Sequence, residues 1–429
     1  MKNILRKLMK VPSYVIHETI RKRYALSEKE VFNKQEQLLQ NMLQYAKKHC
    51  DYYKDIVSAG SSLRITDFPV VDRHVITNNF DRFCSNRLEY YIHGDAYTGG
   101  STGEPFHLLT SMTYENEFGR KRWERYGYKK GDKILALDGT KIPEEKLRQG
   151  IYWQEKNKKD IPFGSLALSS LYLSDENALV YCNYIKSIKP DFLRGYPSFV
   201  FSIAQYAKQL LIDMSGFVKG IELTSEIVTD DQIKMIKQVF RAPVFLQYGH
   251  TEACICAYTD NDLYKYKVEP LYGYVEILNT EKQHVKEGEV GEVVVTSLYN
   301  FAMPLIRYRT GDFAEYGGKD GRYIYLNKVM GRTQDYIVDR NNNRILLTAM
   351  IFGQHFKAMG HIVKWQIEQF MPGSVILHVV RNHEFNIHDE AELTELFETL
   401  GNVSVTFDYC NSIPVTPRGK SKMLVQHIS

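Results

Sequence analysis

The sequence Leu246-Gln247-Tyr248-Gly249-His250-Thr251-Glu252 lies near the middle of the chain, directly after a short apolar run. The run Val244–Gln247 predicts a strand, so Tyr248–Glu252 forms the loop that follows it. In layered α/β proteins, ligands gather at the loops beyond the carboxyl ends of parallel strands. An aromatic ring, a hydroxyl and a carboxylate in one such loop predict a ligand-binding site.

The sequence on the amino-terminal side of this loop alternates between strand and helix patterns. Strands are predicted at Lys133–Leu137 and Ile221–Thr224, a helix opens at Pro197, and Thr229 caps a further helix over Asp230–Phe240. Repeated β-α-β units imply a parallel sheet covered by helices. We therefore predict a large layered α/β domain.

Beyond residue 287 the pattern changes. Glycines punctuate a strand between Gly288 and Ser297, which indicates a β-rich subdomain. The tail then reads as helix, strand, strand, helix and strand, and its length of roughly 100 residues is typical of a small domain. The predicted fold class is α/β, with a large domain over residues 1–331 and a small, mobile α+β domain over residues 332–429.

Two helix starts are specific enough to be tested. Apolar residues recur at helical spacing over residues 29–50, with Ser27 as the N-cap and a lysine at the third helical position, so no full capping box is expected. Ser174 is the predicted cap of a helix that begins at Asp175-Glu176.

Composition limits the class of function. The 429 residues are 44% hydrophobic and 25% charged, with a formal net charge of +4, which is too weak to suggest a nucleic-acid partner. The six scattered cysteines predict reduced thiols and a cytoplasmic setting. Cys254 and Cys256 near His250 suggest metal ligands, but their alternation with small apolar residues favours a buried strand. A monomer or a homodimer is expected.

The chain has no stretch of about 18 apolar residues that could span a membrane. The first ten residues are basic, and this basic segment allows two interpretations. One is an amphipathic helix lying on an anionic membrane with Lys2, Arg6, Lys7 and Lys10 outward, and the other is a solvated terminal helix.

A second candidate segment precedes the central loop. Its glycines allow the backbone to curl closely around a phosphate, and its hydroxyls can donate to phosphate oxygens; the segment is Thr98, Gly99, Gly100, Ser101, Thr102, Gly103, Glu104 and Pro105. It lacks the Gly-Lys-Ser/Thr ending of a Walker A loop. The alternative interpretation is a surface turn rich in serine and glycine.

For two carboxylates, the sequence predicts a specific ligand. Glu252 suits Mg²⁺, which binds through one or two carboxylates plus phosphates. Asp312, in Tyr308-Arg309-Thr310-Gly311-Asp312, can accept hydrogen bonds from neighbouring ribose hydroxyls. The alternatives are an incidental glutamate at a strand end and an aspartate that stabilises its own turn.

Taken in order, these segments resemble the core motifs of the adenylate-forming superfamily, which includes acyl-CoA synthetases, luciferases and peptide-synthetase adenylation domains. The branch that the chain resembles is that of phenylacetate–CoA ligase and its relatives in capsular polysaccharide synthesis. The branch resemblance depends on further segments, which are Leu43–Ala46, Tyr52-Tyr53, Phe68–Arg73 and Leu193–Ser198.

The resemblance implies a role for each matching residue. Ser101 and Thr102 would contact phosphate, Tyr248 would flank adenine, and Thr251 would contact the α-phosphate. Glu252 would hold Mg²⁺, Asp312 would bind the ribose, and Arg332 would assist at ribose or phosphate. Lys420, in the terminal Gly419-Lys420, would approach the reacting carboxylate.

The implied activity is ATP-dependent conversion of a carboxylic acid into an acyl-adenylate with release of pyrophosphate, followed by transfer to a thiol such as CoA. Gln334 stands where the family has an acidic hinge residue, and Asp335 follows it. Two alternatives therefore stay open. One is a ligase that acylates an amine or hydroxyl of a sugar, and the other is a degenerate nucleotide-binding module.

Overall fold

The computed structural model describes residues 22, 26–58, 63–98, 106–111, 115–156, 164–260, 262–321, 323–332, 336–347, 358, 361–416, 419 and 422–428. Its α-helices are α1 (Glu28–His49), α2 (Asp51–Ile56), α3 (Arg73–Asn78), α4 (Phe80–Phe83), α5 (Glu115–Arg125), α6 (Glu144–Arg148), α7 (Ala178–Ile188), α8 (Pro197–Gln209), α9 (Asp230–Phe240) and α10 (Ile387–Thr399).

The strands alternate with these helices in the first half of the chain and predominate later. They are β1 (Gly94–Thr98), β2 (Phe106–Thr110), β3 (Ile134–Asp138), β4 (Trp153–Glu155), β5 (Leu166–Ser169), β6 (Phe192–Gly195), β7 (Gly220–Thr224), β8 (Val244–Gly249), β9 (Cys256–Tyr258), β10 (Tyr266–Val268), β11 (Gly273–Leu278), β12 (Val290–Ser297), β13 (Tyr308–Asp320), β14 (Tyr323–Arg332), β15 (Tyr336–Val338), β16 (Arg344–Leu346), β17 (Ile362–Met371), β18 (Ser374–Arg381), β19 (Ser404–Tyr409) and β20 (Leu424–Gln426). The mixed α/β class predicted from the sequence is confirmed.

The chain divides into two compact units, each made of two separate stretches. The first unit comprises residues 1–128 and 246–330, and the second comprises residues 129–245 and 331–429. The predicted domains over residues 1–331 and 332–429 stay predictions.

The second unit contains a parallel β-sheet with strand order β7-β6-β3-β5 and β4 at its edge. Strands β3, β5, β6 and β7 pair in parallel, and only β4 runs antiparallel to its neighbour β5. Their apolar residues are almost all buried, as expected where helices cover both faces of a parallel sheet. The carboxyl ends of β3 and β5 therefore lie side by side at one edge.

The carboxyl-terminal part of the same unit is a smaller α+β structure. Strands β19-β18-β17-β20 form its sheet, β15 and β16 form a hairpin, and α10 contributes apolar residues to the core. Asn386 caps α10 through its side chain, which accepts the backbone N–H of His388.

The first unit has an antiparallel arrangement. Its strands follow the order β11-β12-β13-β14-β10-β9-β8, and β1 and β2 form a separate antiparallel pair. A buried ion pair ties this sheet to its surroundings, because Arg307 contacts Glu276 at 3.1 Å and also donates to the carbonyl of Phe68. The β-rich subdomain predicted around residues 288–297 corresponds to β12 and its neighbours.

One predicted helix start is confirmed except for its capping box, and the other is wrong. Ser27 caps α1 as predicted, but the capping box is complete, because Glu30 rather than a lysine occupies the third helical position and its carboxylate accepts the N–H of Ser27 at 2.7 Å. Helix α7 begins at Ala178 with Asn177 as N-cap, and the side chain of Asn177 accepts the N–H of Ser174 in the turn before the helix. The predicted residue Ser174 therefore belongs to a turn rather than to the cap.

The six cysteines, all within the described residues, form no disulfide, and Cys254 and Cys256 are buried as a strand of small apolar residues would require. Within the described ranges, no helix combines the length and the apolar content needed to cross a membrane. The basic residues Lys2, Arg6, Lys7 and Lys10 lie outside the described residues.

Candidate active site

The loop after β8 is a tight turn that carries the central carboxylate. Its backbone closes through a hydrogen bond from the N–H of Ala253 to the carbonyl of His250 at 3.1 Å. Ala253 adopts a φ of +54°, a conformation that side-chain-bearing residues seldom occupy. Such local strain is typical of functional turns, where the surrounding fold holds the backbone in place.

Glu252 is buried, with only 5% of its surface exposed. The phenol of Tyr308 donates a hydrogen bond of 3.0 Å to Oε1, and Nδ1 of His250 lies 3.1 Å from Oε2. Burial alone would raise the pKa of Glu252, but the charge of His250 and the Tyr308 hydrogen bond outweigh it and lower the pKa to about 2. The carboxylate is therefore ionised at neutral pH.

His250 is the second polar neighbour of this buried carboxylate. Its side chain is 10% exposed. Neither of its ring nitrogens has an aligned hydrogen-bond partner among the residues that the structure describes, so the contact with Glu252 is electrostatic. Buried imidazole nitrogens normally have a partner, which makes this side chain unusual in its surroundings.

A second polar pair lies between the ends of β8 and β13. The phenol of Tyr248 donates to Oδ2 of Asp312 at 2.7 Å. Burial and the neighbouring Asp312 carboxylate raise the pKa of Tyr248, so the phenol stays neutral and remains a donor. Asp312 is half-buried, and its own N–H donates to the hydroxyl of Thr310 at 3.0 Å.

Gly311 explains how Asp312 is presented. Its φ of +79° lies in the region that glycine adopts freely and other residues rarely do. The hydroxyl of Thr310 donates to the carbonyl of Val293 at 2.8 Å and holds this bulged part of β13 against β12. The carboxylate of Asp312 accepts from Tyr248, and its role at the ribose stays a prediction.

The structure thus brings three predicted residues, Tyr248, Glu252 and Asp312, into one compact unit. Thr251 is half-buried in the same turn as Glu252. The donor set fits a Mg²⁺ ion that takes one carboxylate from the protein and its other oxygens from phosphate and water, because Glu252 is ionised and offers two oxygens. In the described parts of the chain, no cluster of three or more His, Cys, Asp or Glu residues forms a complete cage.

The remaining predicted residues are not placed at this site. Thr98 ends β1 and Arg332 ends β14, and only their backbones are described. The other predicted phosphate-loop residues, Gly99, Gly100, Ser101, Thr102 and Gly103, lie outside the described residues. So do Lys420 and the hinge candidates Gln334 and Asp335.

Two contacts of Glu252 do not follow from the sequence. Tyr308 belongs to the Asp312 segment, but its hydrogen bond to Glu252 spans 56 residues of chain, for which the sequence has no local signal. His250 lies between two predicted site residues, and its contact with Glu252 likewise appears only in the fold.

Comparisons with known proteins agree with these features. A family model described as the CapK C-terminal domain matches residues 340–427. The chain is 25% identical to Protein CapK of Staphylococcus aureus, covering 93% of this chain and 90% of the relative. It is also 25% identical to phenylacetate-coenzyme A ligase of Pseudomonas putida, covering 48% of this chain and 49% of that enzyme.

Solved structures share the fold. A 2-hydroxyisobutyryl-CoA ligase, captured in the postadenylation state with R3-HIB-AMP, matches with a TM-score of 0.67 and 16% identity, covering 91% of this chain and 88% of that chain. An open conformation of the same ligase, with 2-HIB-AMP and CoA, matches with a TM-score of 0.56 and 17% identity, covering 90% of each chain. These structures show the same fold, and the similarity to Protein CapK and to phenylacetate-coenzyme A ligase supports the resemblance predicted from the motifs.

Proposed function

We propose that the chain belongs to the phenylacetate–CoA ligase-like branch of the adenylate-forming superfamily, and that it activates a carboxylic acid with ATP and transfers the acyl group to a thiol such as CoA. The similarity to Protein CapK and to phenylacetate-coenzyme A ligase supports this proposal, and the fold shared with the 2-hydroxyisobutyryl-CoA ligase is consistent with it. The observation that supports this proposal most strongly is the ionised Glu252, buried and held by Tyr308 and His250. It lies in the same unit as the pair formed by Tyr248 and Asp312.

The first half-reaction makes a poor electrophile reactive. A carboxylate oxygen of the acid attacks the α-phosphorus of ATP, a new O–P bond forms, and the P–O bond to the β-phosphate breaks. The products are an acyl-adenylate and pyrophosphate, which carries away the electron pair of the broken bond. Both reactants are anionic, so the barrier falls mainly through orientation and positioned positive charge.

Each site residue has a defined task in this scheme. Tyr248 presents its ring to the adenine, and Asp312 accepts hydrogen bonds from the ribose hydroxyls in place of the phenol. Thr251 donates to the α-phosphate, and Arg332 contacts the ribose or a phosphate. The other phosphates are surrounded by the glycine-rich segment, which comprises Thr98, Gly99, Gly100, Ser101, Thr102 and Gly103. Mg²⁺, when bound at Glu252, supplies positive charge to the phosphate oxygens.

Lys420 provides the second positive charge, from a carboxyl-terminal domain that closes over the nucleotide and then moves to admit the thiol. The thiol loses its proton to solvent, its sulfur attacks the acyl carbonyl carbon, and the C–O bond to the phosphate breaks, so that a thioester forms and AMP leaves. We expect this chemistry in the cytoplasm, where the six cysteine thiols stay reduced, and in a monomer or homodimer without a nucleic-acid partner.

A second candidate differs only in the acceptor. The match to Protein CapK extends over nearly the whole chain, whereas the match to the phenylacetate ligase covers about half of it. This difference favours a second candidate function in capsular polysaccharide synthesis, and for this chain we propose an amine or hydroxyl of a sugar as the alternative acceptor. The first half-reaction is the same in both candidates.

The test is ATP–pyrophosphate exchange, screened over aryl, fatty and amino acids. We expect exchange that depends on one class of acid, and Lys420→Ala should lower its rate by about 10²–10³-fold while ATP binding is kept. Lys422→Ala, two residues further on, is the matched control and should exchange normally. Absence of exchange with every acid would favour the degenerate nucleotide-binding module.

The acceptor is identified in the same assay by following AMP. CoA and amino-sugar acceptors are added separately to the acid that supports exchange. Faster AMP formation with CoA supports the thioester reaction, and faster AMP formation with the amine supports the second candidate.

A further inference from the structure

The residue before Lys420 is held at a defined place in the second unit. The hydroxyl of Ser170 donates a hydrogen bond of 2.8 Å to the carbonyl of Gly419, and this contact is buried. The N–H of Gly419 donates to the carbonyl of Thr416 at 2.7 Å, which closes a turn. Both groups of the Gly419 backbone are therefore paired.

Gly419 approaches this place more closely than any other residue type could. A Cβ atom there would lie 2.2 Å from Oγ of Ser170 and 2.5 Å from Cα of Gly139. Its φ is +74°, which glycine also tolerates best. A residue with a side chain at position 419 would therefore clash with Ser170 and Gly139 and would also have an unfavourable φ.

The surface that Gly419 contacts is formed by the residues that follow two parallel strands. Gly139 follows Asp138, the last residue of β3, and Ser170 follows Ser169, the last residue of β5. The N–H of Ser170 donates to the carbonyl of Asp138 at 2.8 Å, so the two strand ends are locked together. This edge of a parallel sheet is where ligands bind in α/β folds.

We propose that Ser170 and Gly139 form a seat for Gly419, and that this seat positions the adjacent Lys420 for the adenylate-forming half-reaction. The inference rests on the proposed function of Lys420. Lys420 follows Gly419 directly in the sequence, so the seat would act on the lysine through a single peptide unit. Ser170 is a positioning residue, because it acts through Gly419.

The seat should matter in only one of the two half-reactions. Acyl-adenylate formation needs the ammonium beside the reacting oxygens, whereas transfer from a preformed adenylate to the thiol follows movement of the carboxyl-terminal domain. Loss of one neutral hydrogen bond lowers the equilibrium constant for seating Gly419 by about 10-fold at most. A merely structural role for Ser170 would impair both half-reactions alike.

The experiment compares Ser170→Ala with Ser169→Ala in the full-length protein. Ser169 is an adjacent buried serine whose hydroxyl accepts the N–H of Leu171, whereas the described hydrogen bond to Gly419 comes from Ser170, so Ser169 is a matched control. We expect Ser170→Ala to lower kcat for pyrophosphate exchange about 10-fold with the KM for ATP unchanged. Thioester formation from added acyl-adenylate should keep its wild-type rate.

Gly419→Ala is the steric variant and should lower the exchange rate further. A drop in both half-reactions for Ser170→Ala, or equal effects of Ser169→Ala and Ser170→Ala, would overturn the positioning role.

Amide hydrogen exchange of the peptide 413–428 tests the seat without any substrate. Ser170→Ala should speed exchange in this peptide, and Ser169→Ala should not. An unchanged rate in Ser170→Ala overturns the seat itself. If wild-type protein catalyses no pyrophosphate exchange with any acid, the proposed function fails, and this measurement still decides whether Gly419 is seated.

Discussion

Glu252 shows how one side chain stays charged inside a protein. Its carboxylate is buried, yet its pKa falls to about 2 because the surrounding groups favour the ionised form. Tyr308 contributes a hydrogen bond to one oxygen, and Nδ1 of His250 lies 3.1 Å from the other, where the interaction with the imidazole also lowers the pKa of the carboxyl. Such perturbed groups in a turn with unusual backbone geometry are characteristic of functional sites.

Tyr308→Phe tests the hydrogen bond at Glu252. The variant keeps the ring and removes the donor to Oε1, so burial should raise the pKa of Glu252 from about 2 towards its ordinary value. We expect the pyrophosphate exchange rate to fall roughly 3- to 10-fold, from the loss of about 1 kcal/mol. Tyr316→Phe, in the same strand, is the control, and equal rates in both variants would contradict the assigned contact.

At the scale of single elements, the sequence predicted those whose signals are local. Thr229 caps α9, and its hydroxyl accepts the N–H of Gln232, as its place before an acidic, amphipathic stretch indicated. The predicted start of α7 was wrong because Ser174 and Asn177 both suit a cap, and the choice depends on a turn that only the folded chain shows. Ser170 carries no local signal, since its partner is 249 residues away.

Within the carboxyl-terminal sheet, four side chains form a chain of contacts across the strands. His378 lies 2.7 Å from Asp408 and 2.8 Å from Glu368, and His427 lies 2.8 Å from the other oxygen of Glu368. Burial opposes the charge on His378, but its two carboxylate partners raise its pKa above the ordinary value of 6.5. The network is therefore most stable when His378 is protonated.

This network predicts a pH dependence with a definite sign. Because the folded-state pKa of His378 is raised, its contribution is fully present below about pH 6.5 and is lost as the pH rises through the folded value. We expect the free energy of opening of β17 and β18, measured by native-state hydrogen exchange, to fall by about 0.5 kcal/mol as the pH rises above the folded-state pKa of His378. This value takes account of solvent screening. His378→Gln should lack this change, whereas His383→Gln, at an exposed turn residue, should retain it.

At the scale of the whole molecule, the site depends on residues far apart in the sequence. The Tyr248–Asp312 contact spans 64 residues, and the Glu252–Tyr308 contact spans 56 residues. The order of the motifs predicted that these residues share one site, because the same order occurs in the family that the chain resembles. The spacing between the residues does not predict this by itself. The contacts that connect them, through Tyr308 and Thr310, follow from the register of β12 with β13 and appear only in the fold.

Nucleotide binding should therefore stabilise the folded protein through Asp312. A ligand that binds only the folded state at 100 times its Kd adds about 2.7 kcal/mol to the free energy of unfolding, which raises the thermal midpoint. Asp312→Ala removes the acceptor for the ribose hydroxyls, so we expect the midpoint shift with saturating ATP to fall by more than half. Asp320→Ala, at the exposed end of the same strand β13, controls for loss of charge and should shift as the wild type does. An undiminished shift in Asp312→Ala would mean that the carboxylate only stabilises its own turn, which is the alternative that the sequence left open.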